Sequence, residues 1–321
     1  MQRRRHDARN VGLLGLAALV ATCGTTVPVV TGDSGSAPPD AGPTTDTAAA
    51  PQVVTRRLYV FDTVTFTRVQ KDGKARGFDV DGKVTPDGDA ATCGKSDFTA
   101  PDGQPGIDNQ FALLVPVIEK SGLQAFEGLL QASIDNGGVL LMLQVDGLDS
   151  FVDDADVKVT LRAGQGMPLL GTDKKLLSGQ TFHLRADSPE KVAAPAAVKG
   201  GQLDAGPFDV DVPVSVFGNL YVLEVRAARV RARLVDERRI EAGLFGGGIT
   251  FSSIQKIALT GAKDQPSIIE MVTTLVDGMG DLAPDAKGNC TQISAALAFS
   301  GVSAFLYAAE RQGKANPKQA P

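Results

Sequence analysis

Seven aspartates crowd one stretch of about thirty residues, and they are the side chains of this 321-residue chain best placed to do chemistry. Asp79 and Asp81 stand in Gly77-Phe78-Asp79-Val80-Asp81-Gly82, Asp87 and Asp89 flank Gly88, and Asp97 follows Cys93. Asp102 and Asp108 lie in Pro101-Asp102-Gly103-Gln104-Pro105-Gly106-Ile107-Asp108-Asn109. Carboxylates on Gly-rich turns suit a hard cation, because Ca²⁺ takes about 6 to 8 oxygens at roughly 2.3 to 2.6 Å and tolerates irregular geometry. A calcium site requires at least three of the seven to bring oxygens around one point. The spacing is not that of an EF-hand: counted from Asp79, Lys83 falls on the fifth position, Val84 replaces the required Gly, and Ala90 replaces the closing Glu. The competing reading is that Asp, Gly and Asn simply build turns here, with Asp108 as a helix cap.

Other catalytic patterns fail. The only histidine beyond the N-terminal segment is His183, alternating with apolar neighbours in Thr181-Phe182-His183-Leu184 and expected to face solvent from a strand. There is no Gly-x-Ser-x-Gly, His-Glu-x-x-His or phosphate loop. Gly246-Gly247-Gly248 lacks the Lys-Ser/Thr that a phosphate loop needs, so it reads as a tight turn or a close backbone approach. With no Trp and three Tyr there is little surface on which a sugar could stack, which weakens a carboxylate-based hydrolase. No catalytic residue is assigned.

The N-terminus points to export. Arg3, Arg4, Arg5 and Arg9 precede an apolar run from Val11 to Ala21, too short to span a bilayer, which needs about 20 residues. The run ends in Val20-Ala21-Thr22-Cys23, which resembles the lipobox of bacterial lipoproteins; that resemblance implies a cleaved signal peptide at 1–22 and lipid on Cys23. Gly24 after the Cys implies passage to the outer membrane. Residues 23–52 are rich in Thr, Ser, Gly, Pro and Ala, and read as a flexible tether; 313–321 read as a disordered tail. With Cys23 assigned to lipid, Cys93 and Cys290 remain as an even pair in an oxidising compartment, expected to form a disulfide. Formal net charge is −5, and without the leader it becomes more negative, so bulk nucleic-acid binding is excluded.

The elements that must position the aspartates are mostly strands. Residues 53–312 read as one β-rich domain interrupted by the acidic loop at 70–109. Val53 to Val69, Val139 to Val145, Asp156 to Leu161, Gln180 to Arg185, Phe208 to Phe217, Leu220 to Leu234 and Thr291 to Tyr307 carry strand patterns. Phe111 to Ile134 has helical spacing that Pro116 and Gly122 should kink or break in two, and Ser267 to Met279 reads as another helix. The fold class expected is mainly β (α+β), an antiparallel sandwich or half-barrel with a few helices on one side. A Gly218-Asn219 turn pairs Asp211 with Arg226 and gathers Val210, Val212, Val214, Tyr221, Leu223 and Val225 on one face. Beyond Ala227 the phase changes, so a bulge near Ala227-Ala228 must return Val230, Ala232 and Leu234 to the core. Arg229, Arg231 and Arg233 then form an outward basic ridge, either neutralised by carboxylates or serving as a strip for envelope phosphates.

The Gly77-Phe78-Asp79-Val80-Asp81-Gly82 segment, the following Cys, Asp102-Gly103-Gln104-Pro105-Gly106-Ile107-Asp108-Asn109 before a helix, and Asn289-Cys290-Thr291-Gln292-Ile293-Ser294 together resemble exported bacterial lipoproteins of the myxobacterial type. The resemblance implies export and a cysteine pair, and no activity. Three functions follow for test: a structural or interaction domain of the envelope holding one Ca²⁺, a carrier of an apolar, lipid-like ligand, or a hydrolase using two loop carboxylates.

Overall fold

A computed structural model of the chain describes residues 55–120, 126–216, 219–261 and 266–307. The signal peptide at 1–22, Cys23, the tether at 23–52 and the tail at 313–321 lie outside the described residues. The domain opens with β1 (Arg56–Phe66), in which the run from Leu58 to Phe61 is buried on both faces. Helices α1 (Phe111–Ile118) and α2 (Phe126–Asp135) follow the acidic loop. Then come β2 (Leu140–Asp146), β3 (Lys158–Gln165), β4 (Gln180–Leu184), β5 (Val192–Ala193), β6 (Ala196–Lys199), β7 (Gln202–Val216), β8 (Asn219–Asp236) and β9 (Arg239–Thr250). Helices α3 (Phe251–Gly261) and α4 (Pro266–Met279), β10 (Leu282–Pro284) and β11 (Cys290–Leu306) complete the chain order.

These strands form one 11-stranded sheet that rolls back on itself. β1, β2, β3 and β4 pair in turn, β4 pairs with the end of β11, and β11 pairs with β1, closing a ring. β9, β8, β7 and β6 continue from β11, and an isolated bridge joins Val198 of β6 to Asp154, four residues before β3. Every pairing of named strands is antiparallel except β4 with β11. The architecture is thus mainly β with helices packed against β1, β8, β9 and β11, nearer the half-barrel than the sandwich. One large core fills the interior, with Tyr59, Met142, Leu143, Leu161, Leu203 and Ile240 fully buried.

The β7–β8 hairpin departs from its expected register by two residues. Val216 rather than Phe217 begins the pairing, facing Asn219, and Glu224 rather than Arg226 stands opposite Asp211. A slip of two leaves every side chain on its original face because strand periodicity is two. Val210 pairs with Val225, Val212 with Leu223 and Val214 with Tyr221, the apolar face the sequence implied. Arg226 reaches Asp211 on the diagonal, its Nη1 donating to Oδ1 at 2.8 Å. The bulge lies where expected: Ala227 has φ +48°, register shifts between Arg226 and Arg229, and Val230, Ala232 and Leu234 are buried.

β9 and α3 carry no expectation from the sequence, and the glycines explain β9. Gly246-Gly247-Gly248 is strand rather than turn, and it is the close backbone approach that holds. A Cβ on Gly246 would meet the Ala295 carbonyl at 2.6 Å, and one on Gly247 would meet the Arg226 carbonyl at 2.8 Å. β9 therefore sits between β8 and β11 with no room for side chains at these positions.

Candidate functional site

The acidic loop lies across the outer face of β8, β9 and β11. Phe78 is buried against Leu244 of β9 and Ala296 of β11, and Val80 packs beside them. The backbone makes bridges at Phe78 with Asp108 and at Phe98 with Ile107. The Asn109 amide nitrogen donates to Thr67 Oγ1 and to the Arg76 carbonyl at 2.7 Å, fixing both ends of the loop together. Cys93 and Cys290 are bridged, with Cα atoms 6.0 Å apart across 197 positions of sequence, which ties the loop to the start of β11.

Three of the seven aspartates converge. One carboxylate oxygen each of Asp79, Asp81 and Asp108 lies within 4.8 Å of the others. That span suits a common cation, since two ligands at roughly 2.4 Å on opposite sides are about 4.8 Å apart. Loop backbone holds each one in place. Asp108 Oδ2 accepts from the Val80 N–H at 2.6 Å and the Asp81 N–H at 3.3 Å, Asp79 Oδ1 accepts from Gly82 N–H, and Asp81 Oδ1 accepts from Lys83 N–H. Each carboxylate has a second oxygen with no bond of this kind, and no Lys or Arg among the described residues forms an ion pair with any of the three.

Asp87, Asp89, Asp97 and Asp102 are not part of that group. Asp97 Oδ2 takes the Thr85 N–H at 2.6 Å, and Asp102 Oδ1 closes its own turn with the Gln104 N–H, so these two serve loop structure. Asp108 does not cap α1 as expected. Gln110 occupies the cap position without a side-chain bond, because the Asp108 carboxylate turns back to the Val80 and Asp81 amides. His183 is half-buried rather than facing solvent, stacked on Tyr307 with ring centres 3.9 Å apart.

Sequence reasoning missed Asp281, between α4 and β10. It is buried, accepts from the Ser294 N–H at 2.8 Å and from the Ser294 hydroxyl, and Ser294 in turn accepts the Gln110 N–H. Burial pushes its carboxyl up to about 6. Burial also pushes Asp108 up, to about 8, and the charges of Asp97, Asp81 and Asp281 act in the same direction. A lone Asp after Gly280 carries no sequence signal; only the fold puts it in electrostatic reach of Asp108.

Beside the loop runs the arginine ridge of β8. Arg231 Nε donates to Asp204 Oδ1 at 2.6 Å and its guanidinium lies 5.6 Å from the Phe78 ring centre. Three clefts among the described residues are open to the surface and carry charged side chains. Among the described residues no helix is long and apolar enough to cross a membrane. No protein-family model, curated protein or solved structure matches the chain.

Proposed function

We propose that the chain is an exported, lipid-tethered envelope protein whose barrel is a non-catalytic structural domain, with the acidic loop clasped to it by one Ca²⁺. The observation that carries this reading is the convergence of Asp79, Asp81 and Asp108, three carboxylates that no cationic side chain among the described residues neutralises. Bringing such charges together in a partly buried place is costly unless protons or a cation compensate. Ca²⁺ bound there would draw the Gly77 to Gly82 turn onto Asp108 at the foot of α1. The disulfide at Cys93 holds the same loop from its far side.

The large apolar core speaks against the carrier of an apolar ligand, and the three converging carboxylates line none of the clefts described above, which speaks against the hydrolase. Tethering rests on the lipobox-like Val20-Ala21-Thr22-Cys23. Thermal melts of the mature chain with excess calcium and with chelator test the clasp: the midpoint should rise with calcium in the wild type and stay put in Asp108→Asn. Metabolic labelling with radioactive palmitate tests the anchor, and label should vanish in Cys23→Ala.

A further inference from the structure

The acidic loop and the β6–β7 hairpin wall a cleft of about 590 Å³ over the outer face of β8, a size in the range of small-molecule sites. Its charge is opposite to that of the protein. Arg231 and Arg233 rise from the floor, Arg76 stands in the loop wall, and Gln70 and Gln202 add amides. Asp102 is the only carboxylate in the lining. Arg231 is held by Asp204, but Arg76 and Arg233 make no ion pair among the described residues. A second cleft of about 280 Å³ adjoins it through Arg231 and Gln202, and there Lys199 and Arg229 face Asp204. Arg229 Nε is buried and lacks a hydrogen-bond partner, a state that costs free energy unless something accepts from it.

We infer that these joined clefts bind an elongated anion, a polyol or sugar bearing two phosphate groups, either free or as the headgroup of a lipid. Arg229, Arg231 and Arg233 alternate along one strand face, so their Cα atoms are spaced by roughly 7 Å and the outer two by about 13 Å. That spacing suits two separate phosphates better than one. The guanidinium fork takes phosphate oxygens in pairs, which favours phosphate over a compact halide or a single carboxylate. The amides of Gln70 and Gln202 and the exposed backbone at Gly200 suit the hydroxyls between the charges. The site is separate from the calcium clasp, although the same loop forms one of its walls.

Titration calorimetry with glucose 1,6-bisphosphate, glucose 1-phosphate and vesicles containing phosphatidylinositol 4-phosphate tests this, all in calcium-containing buffer. The bisphosphate should bind more tightly than the monophosphate, more weakly at high salt, and about tenfold or more weakly to Arg76→Gln/Arg233→Gln, whose positions are peripheral to the core. Arg239→Gln, on the same sheet but outside the cleft, should bind as the wild type does. Vesicle binding that the double substitution abolishes assigns the lipid-borne source; binding of the free sugar alone assigns the soluble one. No binding of either probe, or equal weakening by Arg239→Gln, overturns the inference. Asp108→Asn separates the two sites: it should abolish the calcium response, and Arg76→Gln/Arg233→Gln should leave that response intact.

Discussion

The guanidinium of Arg231 on β8 lies 5.6 Å from the centre of the Phe78 ring, and that ring is itself buried on Leu244 and Ala296. One aromatic side chain thus seats the acidic loop on the barrel and lies beside the middle of the basic ridge. Replacing Phe78 with Ala should cost about 3 to 5 kcal/mol, the usual range for a buried Phe. Hydrogen exchange should rise most at residues 77–82, because the loss falls on the loop. Exchange rising equally in β2 would show that Phe78 supports the whole domain instead.

Cys93→Ser/Cys290→Ser removes a ring closed across 197 positions. Chain entropy sets the cost at roughly 5 kcal/mol as an upper figure. Denaturant unfolding of the double substitution should show a lower midpoint, and its calcium affinity should fall because the loop is no longer preorganised. Unchanged affinity would mean that the three aspartates are held in place without the bridge.

Strand periodicity carried most of the fold, and its failures have identifiable causes. Val210, Val212 and Val225 marked the inward face correctly, since facing depends only on a period of two. Register did not follow: a Gly218-Asn219 turn would set Asp211 opposite Arg226, but Asp211 faces Glu224, a slide of two that periodicity alone does not detect. β9 stayed hidden because its glycines, demanded by the backbones of β8 and β11, resemble a turn in sequence. At the site, the aspartate cluster was visible as composition, but which three converge depended on Asp108 folding back to the Val80 amide, and Asp281 entered only through the fold.

The glycines of β9 give a sharp contrast. Gly246→Ala should destabilise by about 1 to 3 kcal/mol or more, since its Cβ would press on the Ala295 carbonyl at 2.6 Å. Gly128→Ala, in α2 with open space around the new Cβ, should stabilise by up to about 1 kcal/mol. Urea unfolding of the two variants tests the packing of β9; equal effects of the same sign would contradict it.

Stability without calcium should fall as pH rises. Asp281 is pushed up to about 6 and Asp108 to about 8, both chiefly by burial, so the folded state binds protons more tightly than the unfolded chain at ordinary carboxylate values near 4. Their contribution is complete below about pH 4 and is lost as pH climbs through those folded values. Asp154, Asp187 and Glu127 are shifted downward and act only at more acid pH. In chelator, the urea midpoint should therefore be higher at pH 5 than at pH 8.5, and Asp281→Asn should reduce the difference. A midpoint that rises with pH over this range would show that the two carboxyls are not buried in this way.

Calorimetric titration of the mature chain with calcium tests the clasp most directly. The clasp predicts one ion per chain, with affinity in roughly the 10⁻⁴ to 10⁻³ M range of extracellular sites, and loss of the signal in Asp108→Asn and in Asp79→Asn/Asp81→Asn. Asp87→Asn/Asp89→Asn should titrate like the wild type. No calcium-dependent heat, together with identical melting midpoints in calcium and in chelator, would contradict the account, as would full binding by Asp108→Asn.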